Sequence, residues 1–274
     1  MQTIREGIQA AIDYIEENLT GEMDVHDVAA RAYVSAFHFQ RMFSAICGLP
    51  LGEYIRRRRL TQAAQELQCG AKVIDAAMKY GYDSPDSFAR AFRRFHGVLP
   101  SQATQPGIML QSFAPMKINL NQEGGTMLEY KIVEKAPFTV VGYKKQFNNE
   151  TSYQEIPEWW EEKQGQQSDV MGMFGLCIDT DGKLFDYMIA DLYSPWKAVP
   201  EGCVAHTIPA GTWAVFPCTL GTLQDTNTRM WRDWLPACKE YKLGGGYNLE
   251  FYYELNEANP PSSGVELWLP VQKA

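Results

Sequence analysis

With 274 residues, 45% of them hydrophobic, the chain is long enough for about two domains with sizeable cores. No apolar run is long enough to span a bilayer, and the start lacks the charged-then-apolar pattern of a secretory signal, so a cytoplasmic location without a membrane partner is expected. The net charge of -8 excludes a nucleic-acid binder only while the chain is read whole, because residues 35–106 carry ten basic and five acidic side chains while residues 107–274 carry 13 basic and 21 acidic. Such asymmetry suggests a nucleic-acid-binding module joined to an acidic one. The six cysteines, Cys47, Cys69, Cys177, Cys203, Cys218 and Cys238, form no CxxC pair, and no HExxH or Ser-His-Asp spacing occurs, so no metal site and no cofactor is expected.

In chain order, Ile4, Ile8, Ala11, Ile12 and Ile15 predict an amphipathic helix with Glu16 and Glu17 on its solvent side. Asp24 is placed to cap a second helix over 25–32 and Ser35 a third over 36–44, whose Phe39, Met42 and Phe43 face inward. Together they make a first helix-turn-helix with Phe37, Gln40 and Arg41 on or near the exposed side. Gln suits adenine and Arg suits guanine in bidentate pairing, although the same two residues serve equally to solvate a helix. A longer helix over 51–67 follows, in which Arg56, Arg57, Arg58 and Arg59 spread through roughly 300° of arc and cannot all face DNA. One or two are expected on phosphate and the rest in solvation or internal ion pairs.

Residues 73–80 read as a short helix closed by Gly81, and Ser84 with Pro85 opens the next one. There Phe88, Ala91, Phe92 and Phe95 form an apolar stripe, while Ser87, Arg90, Arg93 and Arg94 fall largely off it. This is a second helix-turn-helix. Two readers at the ends of a stiff spacer, roughly 34 Å or one DNA turn apart, would let a monomer bind as repressor dimers do.

The run AARAYVSAFHFQRMF over 29–43, the spacer residues Gly48, Pro50, Tyr54, Ile55, Arg58, Leu60 and Ala63, and YGYDS over 80–84 carry a specific resemblance. With Phe88, Arg90, Phe92, Arg94, Gly97, Pro100 and Ser101, they resemble the DNA-binding domain of the AraC/XylS family over about residues 5–106. The resemblance implies a seven-helix, all-α domain with two helix-turn-helix motifs. It implies DNA contacts from Phe37, Gln40 and Arg41 in the first reader and from Asp86, Ser87 and Arg90, with Arg94 on the same helix, in the second. Asp86 departs from the neutral amides of close relatives and would repel phosphate unless it accepts from a cytosine amino group.

Pro106, Gly107, Phe113, Pro115, Gly124 and Gly125 punctuate a boundary, giving an expected DNA-binding domain over 1–106, a linker over 107–126 and a second domain over 127–274. Ile118 and Leu120 alternate with polar neighbours and suggest a short strand within the linker. Beyond it, strand-like runs appear at 130–134, 139–147, 171–178, 184–192, 203–208, 211–218, 247–255 and 265–271, with helices at 154–164 and 223–240. The pattern predicts an α+β domain of two strand-helix-strand-strand repeats.

Val140, Val141, Gly142, IPEWW over 156–160, IPAGTWAVF over 208–216, Trp231, Trp234, Leu235, Pro236, LEFY over 249–252 and ELWLPV over 266–271 are similar to the GyrI-like small-molecule-binding domain. The joint layout resembles regulators of the right-origin-binding-protein type. The resemblance implies a cleft in which Glu250 meets a cationic or amphipathic ligand. Tyr252 shares Glu250's strand face, and Trp159, Trp160 and Trp213 are candidates for its wall. An edge-strand glutamate and core tryptophans are the plainer reading of the same residues. A regulator binding double-stranded DNA and a small-molecule effector, with RNA polymerase as a further partner, is expected rather than an enzyme. A hydrolase of reactive small molecules and a protein-interaction module are the alternatives for the second domain.

Overall fold

The computed structural model describes residues 4–105, 107–118, 128–165, 170–180, 184–254, 256 and 258–274. Pro106, Leu120, Gly124, Gly125 and Leu255, named above at the linker and a strand end, lie outside the described residues. The chain divides into two compact units, Met1–Val34 with Cys47–Leu120 and Ser35–Ile46 with Asn121–Ala274.

The first unit holds α1 (Ile4–Glu17) and α2 (Val25–Ala30), while α3 (Ala36–Cys47) lies largely in the second. It continues with α4 (Leu51–Gln68), α5 (Val73–Lys79) and α6 (Pro85–His96). The expected caps form: Asp24 accepts from the His26 amide at 2.9 Å, and Ser84 Oγ accepts from the Ser87 amide at 3.2 Å. Gly97 ends α6 at φ 80, a left-handed geometry that side chains disfavour. Leu60, Ala63, Ala64 and Leu67 of α4 close a core with Ala76, Ala77 and Tyr80 and with Phe88 and Phe92 of α6. Among the described residues, the seventh helical segment is a single 3-10 turn, Pro100–Gln102.

The four adjacent arginines divide, with Arg58 buried and Arg56 and Arg57 at the surface of α4. Arg56 and Arg57 pair with Glu53, and Arg59 donates to the Leu19 and Gly21 carbonyls at 2.8 and 2.7 Å. Arg58, 4% exposed, pairs with Glu16 at 2.8 Å and also donates to the Phe113 carbonyl. Arg58 and Arg59 thus take the internal role expected for some of the four, tying α4 to α1 and to the segment after it, while Arg56 and Arg57 pair within α4. The short strand expected about Ile118 and Leu120 falls largely outside the described residues, and residues 107–118 form no strand. Their backbone bonds helix side chains instead: the Phe113 amide donates to Thr61 Oγ1, Met116 to Tyr54 Oη and Ile118 to Gln9 Oε1.

Among the described residues of the second unit, nine antiparallel strands form one sheet: β1 (Lys131–Lys135), β2 (Phe138–Asn148), β3 (Phe174–Asp179), β4 (Leu184–Leu192), β5 (Val204–Ile208), β6 (Gly211–Thr219), β7 (Tyr241–Leu243), β8 (Tyr247–Glu254) and β9 (Gly264–Lys273). Their order is β1-β6-β9-β8-β3-β4-β2-β5, with β7 added to β9. The strand β1 precedes β2 in the chain yet pairs β6, and β5 precedes β6 yet pairs β2.

One sheet face closes an apolar core of Val140, Phe174, Leu176, Met188, Ile208, Trp213, Val215, Leu249 and Trp268. The sheet curls around it, so that His206 of β5 comes within 3.3 Å of the Tyr247 hydroxyl on β8, four strands away. The helix α7 (Ser152–Gln164) supplies Trp159 to a separate cluster with Phe147, Phe185 and Tyr187. The long helix expected over 223–240 breaks into α8 (Leu223–Arg229), a wide turn at Met230–Trp234 and a last helical turn, Leu235–Ala237. Pro236 has no N–H for the Arg232 carbonyl, and the helix widens there instead of continuing.

Candidate DNA-reading helix and ligand cleft

On α6 the apolar stripe buries Phe88 and Phe92 completely, which fixes the opposite face outward. Asp86, Arg90, Arg93 and Arg94 are exposed there, and Ser87 is half-buried with its hydroxyl donating to the Ser84 carbonyl at 2.8 Å. The arrangement is a cationic ridge at a helix surface. It can meet phosphates, and its bidentate arginines can meet guanine edges.

The second candidate site lies on the sheet face opposite the large apolar core. Glu250 stands on β8 directly across from Gly175 of β3, and Cys177 lies two residues further along the same face. Glu250 Oε2 accepts from the Tyr252 hydroxyl at 2.8 Å and from the Tyr187 hydroxyl at 3.0 Å. Tyr187 belongs to β4, so its phenol must cross β3 to reach the carboxylate. Gly175 permits this crossing, since a Cβ there would lie 2.2 Å from the Tyr187 oxygen and 2.6 Å from Glu250 Oε2. Trp160 Nε1 donates to the Tyr187 hydroxyl at 3.0 Å, and its ring meets that of Tyr252 edge-on at 5.3 Å.

Burial pushes the Glu250 carboxyl above the usual carboxylate range, while the two tyrosine hydroxyls and the Arg41 guanidinium pull it back. Burial and the neighbouring carboxylate hold both phenols well above their ordinary pKa, so they remain donors. The Cys177 thiol is raised to about 12 by burial and stays protonated. Trp160 also borders a cavity of about 210 Å³ whose walls include Tyr143, Lys163 and Met171. The Asp191 carboxylate accepts the amides of Met171, Gly172 and Met173 at 2.7 to 2.9 Å and so fixes the segment that packs on Trp160.

The helix α3 packs on this same face. Phe37 lies 5.6 Å from Phe185 between ring centres, and His38 lies 5.7 Å from Trp231. Arg41 Nη2 donates to Cys177 Sγ at 2.8 Å, with the guanidinium over the rings of Phe37 and Phe185. Phe37, expected on the exposed side, is 1% exposed because the Phe185 ring covers it; Gln40 and Arg41 are half-buried. Trp213 is likewise corrected as a cleft wall. It sits in the core on the other sheet face, since it alternates in register with Ala214 and Phe216.

Trp160 and Tyr252 join Glu250, and Trp159 lies behind them, 6.4 Å from the Tyr187 ring. Tyr187, Cys177 and Gly175 were not foreseen. The alternation of Phe185, Tyr187 and Ile189 was readable, but their shared face with Glu250 depends on the β3–β4 and β3–β8 registers.

A cationic reading helix and a carboxylate set among aromatic side chains define a regulator with one part for DNA and one for a small molecule. The family comparisons agree in both parts. Residues 128–272 match the GyrI-like small molecule binding domain, and residues 28–105 match a helix-turn-helix domain. The chain belongs to the GyrI-like family and carries the DNA-binding part of AraC-type transcription regulators. The HTH-type transcriptional activator AarP of Providencia stuartii is 46% identical over 95 residues, covering 34% of this chain and 70% of AarP. The regulatory protein SoxS of Salmonella typhimurium is 40% identical over 95 residues, covering 34% of this chain and 89% of SoxS. Among solved structures, SAV2435 bound to tetraphenylphosphonium aligns at a TM-score of 0.45 and 21% identity, over 53% of this chain and 94% of that one. The protein is a DNA-binding transcription regulator whose C-terminal domain senses a small molecule. Among the described residues, no helix is long and apolar enough to cross a membrane.

Proposed function

We propose that the Glu250 cleft receives an organic cation or cationic amphiphile, and that its occupancy alters how the N-terminal helices hold double-stranded DNA. The observation that carries this is one carboxylate oxygen held by two tyrosine hydroxyls, with an edge-on Trp160 and Tyr252 beside it. A fixed anion among ring faces attracts a cation through charge and quadrupole together. Asp86, Ser87, Arg90 and Arg94 of α6 read one groove in this account, and Phe37, Gln40 and Arg41 of α3 read another. The residues that shape the cleft are Glu250, Tyr252, Tyr187 and Trp160, with Trp159 supporting them. The reading implies a cytoplasmic protein that meets RNA polymerase at the promoter.

Two measurements test it. Glu250→Gln keeps the shape of the carboxylate and removes its charge, so calorimetric affinity for benzyltriethylammonium should fall at least tenfold; unchanged affinity refutes the cleft. Arg90→Ala should weaken binding to a duplex selected from a random pool by about tenfold, in line with roughly 1–3 kcal/mol for a bidentate base contact. A lower salt slope with equal loss on every sequence would assign Arg90 to phosphate instead. Glu250 is a charge partner in this proposal, and turnover of an electrophile that disappears in Glu250→Gln would restore the hydrolytic alternative.

A further inference from the structure

We infer that the floor formed by Cys177, Tyr187, Phe185 and Glu250 is a docking surface for the chain's own helix α3, and that an organic cation competes with α3 for it. The inference rests on the cleft and reader roles proposed above. Its starting point is that residues 35–46 belong to the same compact unit as the sheet. What the cleft offers a cation, Arg41 already uses: a bond to Cys177 Sγ at 2.8 Å, the Phe185 ring 5.4 Å away, and a charge that acts on Glu250. Phe37 and His38 seal the two sides of the contact against Phe185 and Trp231.

Docking has a direct consequence for DNA. Phe37 is 1% exposed under Phe185 and Arg41 is bonded to Cys177, so two of the three residues meant for base edges are turned to the sheet, while Gln40 is half-buried with its amide on the Ala36 carbonyl. In this arrangement the first reader is withheld.

The contact is also imperfectly satisfied. A thiol is a weak acceptor for a guanidinium, and among the described residues Arg41 Nε and His38 Nε2 are buried without a hydrogen-bond partner. Unpaired buried groups are costly, so the docked helix gives up part of what its ring contacts gain. A ligand that binds Glu250 only when Arg41 has left needs a modest differential affinity to shift such a balance. An aromatic cation supplies it, because it brings the same charge and ring contacts without the tether of a folded helix.

The test uses the full chain and benzyltriethylammonium. Amide exchange of residues 36–47 should speed up at least tenfold when the wild-type protein is saturated with the cation, while exchange of α6 stays as it was. Calorimetric affinity should rise about tenfold in Arg41→Gln, which removes the internal competitor. Equal affinity in wild type and variant, together with unchanged exchange in α3, overturns the inference and leaves the cleft assignment standing. Absence of binding to both proteins overturns the two together. The exchange measurement on the wild type decides the matter even where the variant folds poorly.

Discussion

Arg58 gives the sharpest test of how the first unit is held together. Its side chain is 5% exposed and forms an ion pair with Glu16, whose carboxylate also accepts from the Tyr54 hydroxyl at 2.7 Å. Three guanidinium-to-carboxylate bonds of 2.8 to 3.1 Å join α4 to α1, and a further bond ties in the Phe113 carbonyl. Arg58→Met removes the cation and leaves Glu16 with one hydroxyl donor. Breaking a buried pair from one side costs about 3–5 kcal/mol, whereas replacing both partners by apolar groups is close to neutral. The expected loss is about 3 kcal/mol, or roughly 12–24 °C in melting temperature for a unit of this size. Adding Glu16→Met should recover more than half of it.

The assay can follow each unit separately. All seven tryptophans lie at or beyond Trp159, so their fluorescence reports the second unit, while far-ultraviolet circular dichroism is dominated by the helices of the first. The dichroism transition should move and the fluorescence transition should stay. A single variant within about 1 kcal/mol of wild type, or a double variant no better than the single one, would refute this account.

Gly175→Ala should abolish cation binding without unfolding the sheet, because the added methyl meets the Tyr187 hydroxyl and Glu250; retained calorimetric affinity would argue against the crossing phenol. Burial lowers the His38 pKa from 6.5 to about 4, with Arg41 adding to it and Asp179 opposing, so the unfolded chain takes up the proton first as pH falls. The His38 contribution should therefore be present above pH 6.5 and lost progressively down to about 4, a slope that His38→Phe should remove in denaturant titrations. Since the Glu250 carboxyl is also raised, cation affinity should fall on acidification at a higher pH than for an ordinary exposed glutamate, which calorimetry across the acid range would show. Ser84→Ala should cost the first unit about 1 kcal/mol by removing the α6 cap, measured by the same dichroism transition.

Much of the fold was legible because its signals are local. The stripe of Phe88 and Phe92, the Ser84 cap and the Gly97 stop are each set within a few residues, and α6 formed as they dictate. The alternation along residues 184–192 and 211–218 likewise gave β4 and β6 nearly to the residue. What escaped depends on partners distant in sequence. Which of the four arginines would turn inward was unreadable, because Arg58 is drawn in by Glu16 and the Phe113 carbonyl and Arg59 by the Leu19 carbonyl, all distant in sequence. Trp213 and Trp160 look alike as sequence, yet sheet register places one in the apolar core and the other beside Glu250. Three-residue β7 carries no periodicity to read, and it exists because β9 runs on past Trp268, its last residue paired to β8, leaving Val271, Gln272 and Lys273 for β7.

The crossed pairing of the two outer strands sets how the sheet can be assembled or taken apart. Residues 131–135 close against 211–215, and 204–208 close against 138–142, so a break anywhere between β4 and β5 leaves each fragment lacking an edge that only the other can provide. Neither fragment is a self-sufficient module. Assembly must wait for contacts spanning some seventy residues, which marks this domain as the slow-folding part of the chain and discourages any engineering that transplants one fragment alone.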